Sequence, residues 1–283
     1  QQLGRGLRLH EDKSHCTIID LIGNYRNADI KLSLFDIRDE KEKSKNGDIL
    51  PKVPANCQIN FDIEAIELLQ VLASKRQPRK EKLLNAYMEL KQELGRRPAY
   101  LELHLRGKAS SNEYRQEFKS YVGFLFWAKE LTSEEERIFI EVEQWLQEAE
   151  KTVMKKSYKM IVLKAMLRRG PSDWYKEITP KEVAPFFHQY LMEKEYRKKF
   201  DFSDQESMRL WEYDEKKVSN LIAGMPMTKW SGSSNGLLIF KDGKFSVNID
   251  VDKSIEEKLY EWTKEICEYR LHVYFERKGN RNL

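Results

Sequence analysis

The sequence predicts a mainly α protein with minor β. Three observations predict it. Apolar residues recur at helix-face spacing in several separate segments, most clearly as Tyr158, Ile161, Val162, Ala165 and Met166 at i, i+3, i+4, i+7 and i+8. Asp242-Gly243 stands between two apolar runs, 237–240 and 245–249, the pattern of a tight β-hairpin. The 283 residues are 40% hydrophobic and 11% aromatic, enough to fill real cores in about two or three modest domains.

Charge is abundant but nearly balanced, with 34% charged residues and a net charge of +4. The total does not by itself indicate a polyanion partner; the distribution says more. Residues 75–108 hold ten Lys or Arg against four Glu, 151–170 hold seven against none, and 130–150 between them hold eight Glu and one Arg. Two basic blocks suit nucleic acid, and equally describe solvated helix faces. Cys16, Cys57 and Cys267 are odd in number and far apart, with no Cys/His cluster at zinc spacing. This predicts no disulfide framework, no metal ligands and a reducing, cytoplasmic compartment. No apolar run reaches the roughly 18 residues of a membrane span, so no membrane partner is expected.

In chain order, the first eight residues read Gln1-Gln2-Leu3-Gly4-Arg5-Gly6-Leu7-Arg8. The run Cys16, Thr17, Ile18, Ile19, Asp20, Leu21, Ile22 predicts a buried strand, and residues 24–36 a helix with Ile30, Leu32, Leu34 and Phe35 on its apolar side. The octet, as Q-x-x-G-R-G-x-R, resembles the last motif of superfamily 2 helicases. The resemblance implies that residues 1–38 are the C-terminal remnant of the second RecA-like motor domain and that the chain is the C-terminal portion of a longer protein. It further implies that Gln1, Gly4, Arg5 and Arg8 face a nucleotide at the cleft between two such domains. Arg8 would be the arginine finger and Arg5 a second γ-phosphate ligand, because a guanidinium offers several donors in a fixed fork and keeps its charge. Residues 39–76 form a connector, with Pro51 and Pro54 stiffening an extended approach, a strand over 57–62 and a helix carrying Ile66, Leu69 and Leu72.

Residues 77–131 predict a helix-turn-helix-like module of three helices. The first runs from Pro78 to Leu94, and Gly95-Arg96-Arg97-Pro98 stops it and starts a short second. The third follows a loop over 107–112 and carries Tyr114, Phe118, Tyr121 and Leu125 on one stripe. The run Glu93-Leu94-Gly95-Arg96-Arg97-Pro98, with Phe118-Lys119-Ser120-Tyr121, resembles the small DNA-binding repeats attached to homing endonucleases, with Lys119 where those repeats carry glycine. Arg96, Arg97, Arg106, Lys108 and Arg115 are the expected phosphate contacts; the bland alternative is a helical packing module. Residues 132–152 form an acidic linking helix, with Ile138, Val142, Trp145 and Leu146 inside, expected to act as a strut or a spacer between modules.

Residues 153–252 predict a winged-helix-like module. Its first helix leaves Lys159, Lys164 and Arg168 outside, and Thr179-Pro180-Lys181-Glu182 is a capping box with proline at the first helical position. A third helix carries Leu210, Trp211, Val218, Leu221 and Ile222, and the hairpin closes the module. Lys159, Lys164, Lys216, Lys217, Lys229 and the wing cations Lys241 and Lys244 are further candidates for phosphate; an interaction surface for another protein is the alternative. Residues 253–283 form a C-terminal helix, expected to fray into a strand near Val273.

No G-x-x-x-x-G-K-S/T loop and no acidic Mg²⁺ box occur, so ATP and Mg²⁺ belong to the full-length protein and this chain alone is not expected to catalyse hydrolysis. Glu276-Arg277-Lys278 has the E-x-K spacing of restriction-type nucleases but no acidic partner in sequence, and reads as a solvated helix end. His104 and His188 read as packed or surface residues. The expected function is therefore the accessory region of an ATP-dependent DNA helicase or translocase, partnered by duplex DNA and a nuclease or other defence-system protein. The rival is a non-enzymatic scaffold.

Overall fold

In the computed structural model, residues 15, 17, 51–55, 57–60 and 78–280 are described. The octet, residues 16 and 18–22 of the first predicted strand, and the predicted helices over 24–36 and 62–76 lie outside them. Contacts divide the chain into two units, 1–82 and 83–283. In the first, residues 51–55 and 57–60 carry no strand, against the expectation for 57–62; Cys57 N–H instead closes a turn on the Pro54 carbonyl at 2.9 Å.

The second unit is mainly helical with one small antiparallel sheet. Helix α1 (Arg79–Leu94) ends at Gly95, whose φ of +67° a side chain would disfavour. Helix α2 (Tyr100–Arg106) starts after Pro98, with the Ala99 N–H held by Glu102 at 2.8 Å. The predicted third helix is two: α3 (Ser111–Phe118) and α4 (Tyr121–Trp127). Lys119 separates them in the left-handed region at φ +68°, and the Ser120 hydroxyl accepts the Gly123 N–H to begin α4. A Cβ on Gly123 would lie 2.4 Å from the Phe118 carbonyl oxygen, so this corner needs glycine there. Lysine at φ +68° carries a left-handed penalty of about 1 kcal/mol. Lys119→Gly is accordingly expected to raise the melting temperature by a few degrees in a thermal melt, since Lys119 is exposed.

Helix α5 (Ser133–Lys151) opens on a Thr132/Glu135 capping box. It is not a spacer: Ile138, Phe139, Val142, Trp145, Leu146 and Ala149 are all buried, against α4 and against helix α12 (Lys253–Asn280). Helix α6 (Tyr158–Leu167) is buried along most of its length. Helix α7 (Pro180–Met192) has the predicted capping box, Thr179 with Glu182. The single helix expected next is broken into α8 (Glu195–Asp201), α9 (Gln205–Met208) and α10 (Glu215–Ile222), because Asp204 and Asp214 each accept a backbone N–H and start a new helix. Leu210 and Trp211 therefore lie between helices. A π-helical turn (Ala223–Met227) and α11 (Thr228–Ser233) precede the hairpin β1 (Leu238–Lys241) and β2 (Lys244–Val247). Asp242 and Gly243 both have positive φ, as a two-residue hairpin turn requires. Ile178, ahead of α7, bridges Phe245 of β2 through two 2.8 Å hydrogen bonds.

The 28-residue α12 stays helical through Val273-Tyr274-Phe275, correcting the expected strand. It is buried on several sides because α2, α5, α6 and α8 all pack on it. Trp145, Trp174 and Trp230 stack in the core; Trp145 donates to Thr263 at 2.9 Å and Trp230 to Glu148 at 2.8 Å. The proposed modules of 77–131, 132–152, 153–252 and 253–283 thus share one hydrophobic core from residue 83 onward. No helix among the described residues is long and apolar enough to cross a membrane.

Candidate nucleic-acid interface

The five cations expected to meet phosphate on the α1–α4 region all have partners within the unit. At the Gly95-Arg96-Arg97-Pro98 corner, the two arginines diverge. Arg96 forms a fork on Glu102 at 2.8 and 2.6 Å, and that fork with the Ala99 N–H pulls the Glu102 carboxyl down to about 2. Arg97 forms a fork on the buried Glu135 at 3.1 and 2.9 Å, and the Glu135 carboxyl is lowered despite its burial because Arg97 and the Thr132 N–H hold it charged. Arg106 pairs with Glu93 and Lys108 with Glu89, so α2 and the loop after it are tied back to α1. Arg115 donates to the Glu150 carbonyl at 3.1 Å and to Asn112 at 2.6 Å.

Magnitudes sort these residues. Exposed ion pairs are screened by water and contribute little, so a phosphate can replace the carboxylate at Arg96, Arg106 and Lys108 at small cost. Arg97 and Arg115 are half-buried and hold separate helices together; extracting either leaves buried acceptors unmet. Arg106 and Lys108, with Glu89, Glu93, Ala86, Leu90 and Gln92, line a shallow groove of about 360 Å³.

On the later helices the same split appears. Lys159 does not stand outside α6 as expected: it is half-buried, donates to the Thr152 hydroxyl at 2.8 Å and lies 5.9 Å from the Trp230 ring centre, and burial lowers its pKa. The register places it over α11 rather than toward solvent. Lys164 faces Glu268 at 3.8 Å, Lys217 pairs with Asp214 at 3.0 Å and Lys244 with Glu177 at 2.7 Å. Lys216, Lys229 and Lys241 are exposed, with no charged partner among the described residues. Gln1, Gly4, Arg5 and Arg8 lie outside the described residues.

Three groups of polar residues went unrecognised in the sequence. Glu150 is fully buried and accepts from the Tyr121 N–H at 2.7 Å and the Tyr100 hydroxyl at 2.9 Å, with Arg115 and Arg270 beside it. Asp201, also buried, accepts from the Ser157 N–H at 3.1 Å, the Ser157 hydroxyl and the Tyr274 hydroxyl; burial raises its pKa. His104, His272 and Glu276 bring their ligand atoms within 4.8 Å of one another. Only the His272–Glu276 spacing of four within a helix is local; the other partners are tens to hundreds of residues away. No protein-family model, curated protein or solved structure matches the chain.

Proposed function

We propose that this chain is the C-terminal accessory region of an ATP-dependent nucleic-acid motor of superfamily 2 type. Its octet supplies Arg5 and Arg8 to ATP held by a phosphate-binding loop that this sequence lacks. The single observation that carries it is the Q-x-x-G-R-G-x-R octet and its resemblance to the last motif of superfamily 2 helicases, which implies that the two arginines face a γ-phosphate. The helical unit from residue 83 onward is then a rigid body that touches the nucleic-acid backbone through its exchangeable cations: Arg96, Arg106, Lys108, Lys164, Lys216, Lys229, Lys241 and Lys244. The order of helix, Ile178 bridge, further helices and hairpin supports a winged-helix-like use of Lys241 and Lys244 at the turn.

A specific observation favours a second function, a protein-interaction scaffold: four of the five candidate α1–α4 cations, Arg96, Arg97, Arg106 and Lys108, are already neutralised by Glu102, Glu135, Glu93 and Glu89. Duplex affinity of the chain measured against salt separates the two. For an accessory region that grips duplex DNA, the logarithm of the binding constant falls by about 0.9 per log unit of salt for each phosphate neutralised. Replacing Lys241 and Lys244 with alanine is expected to flatten that slope by up to about 1.8, whereas Arg97→Ala lowers stability and leaves the slope unchanged. Absence of duplex binding at low salt selects the scaffold.

A further inference from the structure

We propose that His104, His272 and Glu276 form a three-ligand site for a divalent transition ion of the zinc class. Two imidazoles and one carboxylate are the donors such an ion selects. Mg²⁺ and Ca²⁺ demand more oxygens than this group offers. The ligand atoms already lie within 4.8 Å of one another, and the two imidazole ring centres are 5.7 Å apart. A tetrahedral ion with bonds of about 2.0–2.1 Å sets its ligand atoms about 3.4 Å apart, so small side-chain rotations close the site.

Hydroxyl groups anchor the His104 ring. Its Nδ1 is 2.9 Å from the Ser111 hydroxyl, which is 3.0 Å from the Tyr269 hydroxyl. These hydroxyls fix the ring as the outer partners of metal-bound histidines do, and in the tautomer whose Nδ1 donates to Ser111, Nε2 is the nitrogen left to bind the ion. Nε2 lies 2.7 Å from Glu276 Oε2. At that distance a hydrogen bond joins them, and a metal ion would take the place of its proton. His272 and Glu276, four residues apart on α12, share one face of a straight helix, and α2 packs against that helix. Both are exposed, so the fourth coordination position opens to water. Bound metal clamps α2 to the far end of α12, joining residues 168 and more positions apart.

The full 283-residue chain, stripped with a chelator, is titrated with Co²⁺ and separately melted with and without Zn²⁺. Expected are the visible absorption of tetrahedral Co²⁺ at one equivalent and a Zn²⁺-dependent rise in melting temperature. His272→Ala and Glu276→Gln, both exposed positions, should leave the metal-free melting temperature in place and weaken binding about 100-fold or more, since loss of even an outer partner costs about 10–100-fold. Cys57→Ser, at an exposed cysteine, should leave Co²⁺ binding as it is. No Co²⁺ spectrum and no Zn²⁺ shift in the unsubstituted chain overturns the site, leaving a proton between His104 and Glu276. Binding that survives both His272→Ala and Glu276→Gln overturns it equally, as an ion held elsewhere.

Discussion

Replacing Glu150 with alanine is expected to lower the unfolding free energy by about 3–5 kcal/mol, the range for breaking a buried charge cluster by removing one member. The side chain has no solvent exposure, and four groups from four other helices converge on it or on its own carbonyl. Its carboxylate accepts the Tyr121 N–H, one of the first donors of α4, which have no partner within their own helix. It also accepts the Tyr100 hydroxyl, while Arg115 and Arg270 donate to the Glu150 backbone carbonyl. Alanine strands the N–H and the hydroxyl and leaves two guanidinium groups close together without their counter-charge.

The same group predicts a pH dependence. Burial pushes the Glu150 carboxyl from an ordinary 4.5 up to about 7, against the lowering by its two hydrogen bonds and the two arginines. A carboxyl whose folded pKa exceeds its unfolded value takes up a proton on folding. Its favourable share is full below about 4.5 and is lost as pH rises through about 7, a change of about 3 kcal/mol. Denaturant unfolding at pH 5 and pH 8 measures it. Glu150→Gln keeps an acceptor for Tyr121 and cannot ionise, so this part of the pH slope is expected to vanish while most of the stability remains.

Much of the helical unit was legible in sequence because its signals are local. The Thr179–Glu182 capping box, the Asp242-Gly243 turn and the apolar stripes of α5 and α6 each depend on residues a few positions apart. Breaks between helices were harder. Lys119 in the left-handed region and the caps at Asp204 and Asp214 interrupt apolar stripes that continue across them, so periodicity alone joined what the backbone separates. The eight-Glu block of the acidic helix suggests a spacer because the partner of its buried face, α12, lies more than 100 residues later. The candidate phosphate contacts were read from cation density, and density does not show that Glu135, 38 positions away, already holds Arg97. The His104, His272 and Glu276 group was hidden for the same reason.

On the proposed assignment of the octet, Arg8→Ala lowers ATP turnover by the full-length protein about 10³-fold or more, the usual cost of removing an arginine finger from a phosphoryl-transfer site. Charge spreads over the γ-phosphate oxygens in the transition state, and a guanidinium donates two parallel hydrogen bonds to them without risk of deprotonation. Arg8→Lys keeps the charge and loses the fork, so it should recover only part of the rate. Arg5, as the proposed second γ-phosphate ligand, would contact ATP in the ground state as well, so Arg5→Ala is expected to weaken ATP binding together with turnover. ATP turnover of the Arg8→Ala protein, with nucleic acid present, tests the central claim most directly. A loss of about 10³ with the helical unit still folded is the predicted result; turnover at the unsubstituted rate contradicts the assignment of the octet to a motor's nucleotide cleft.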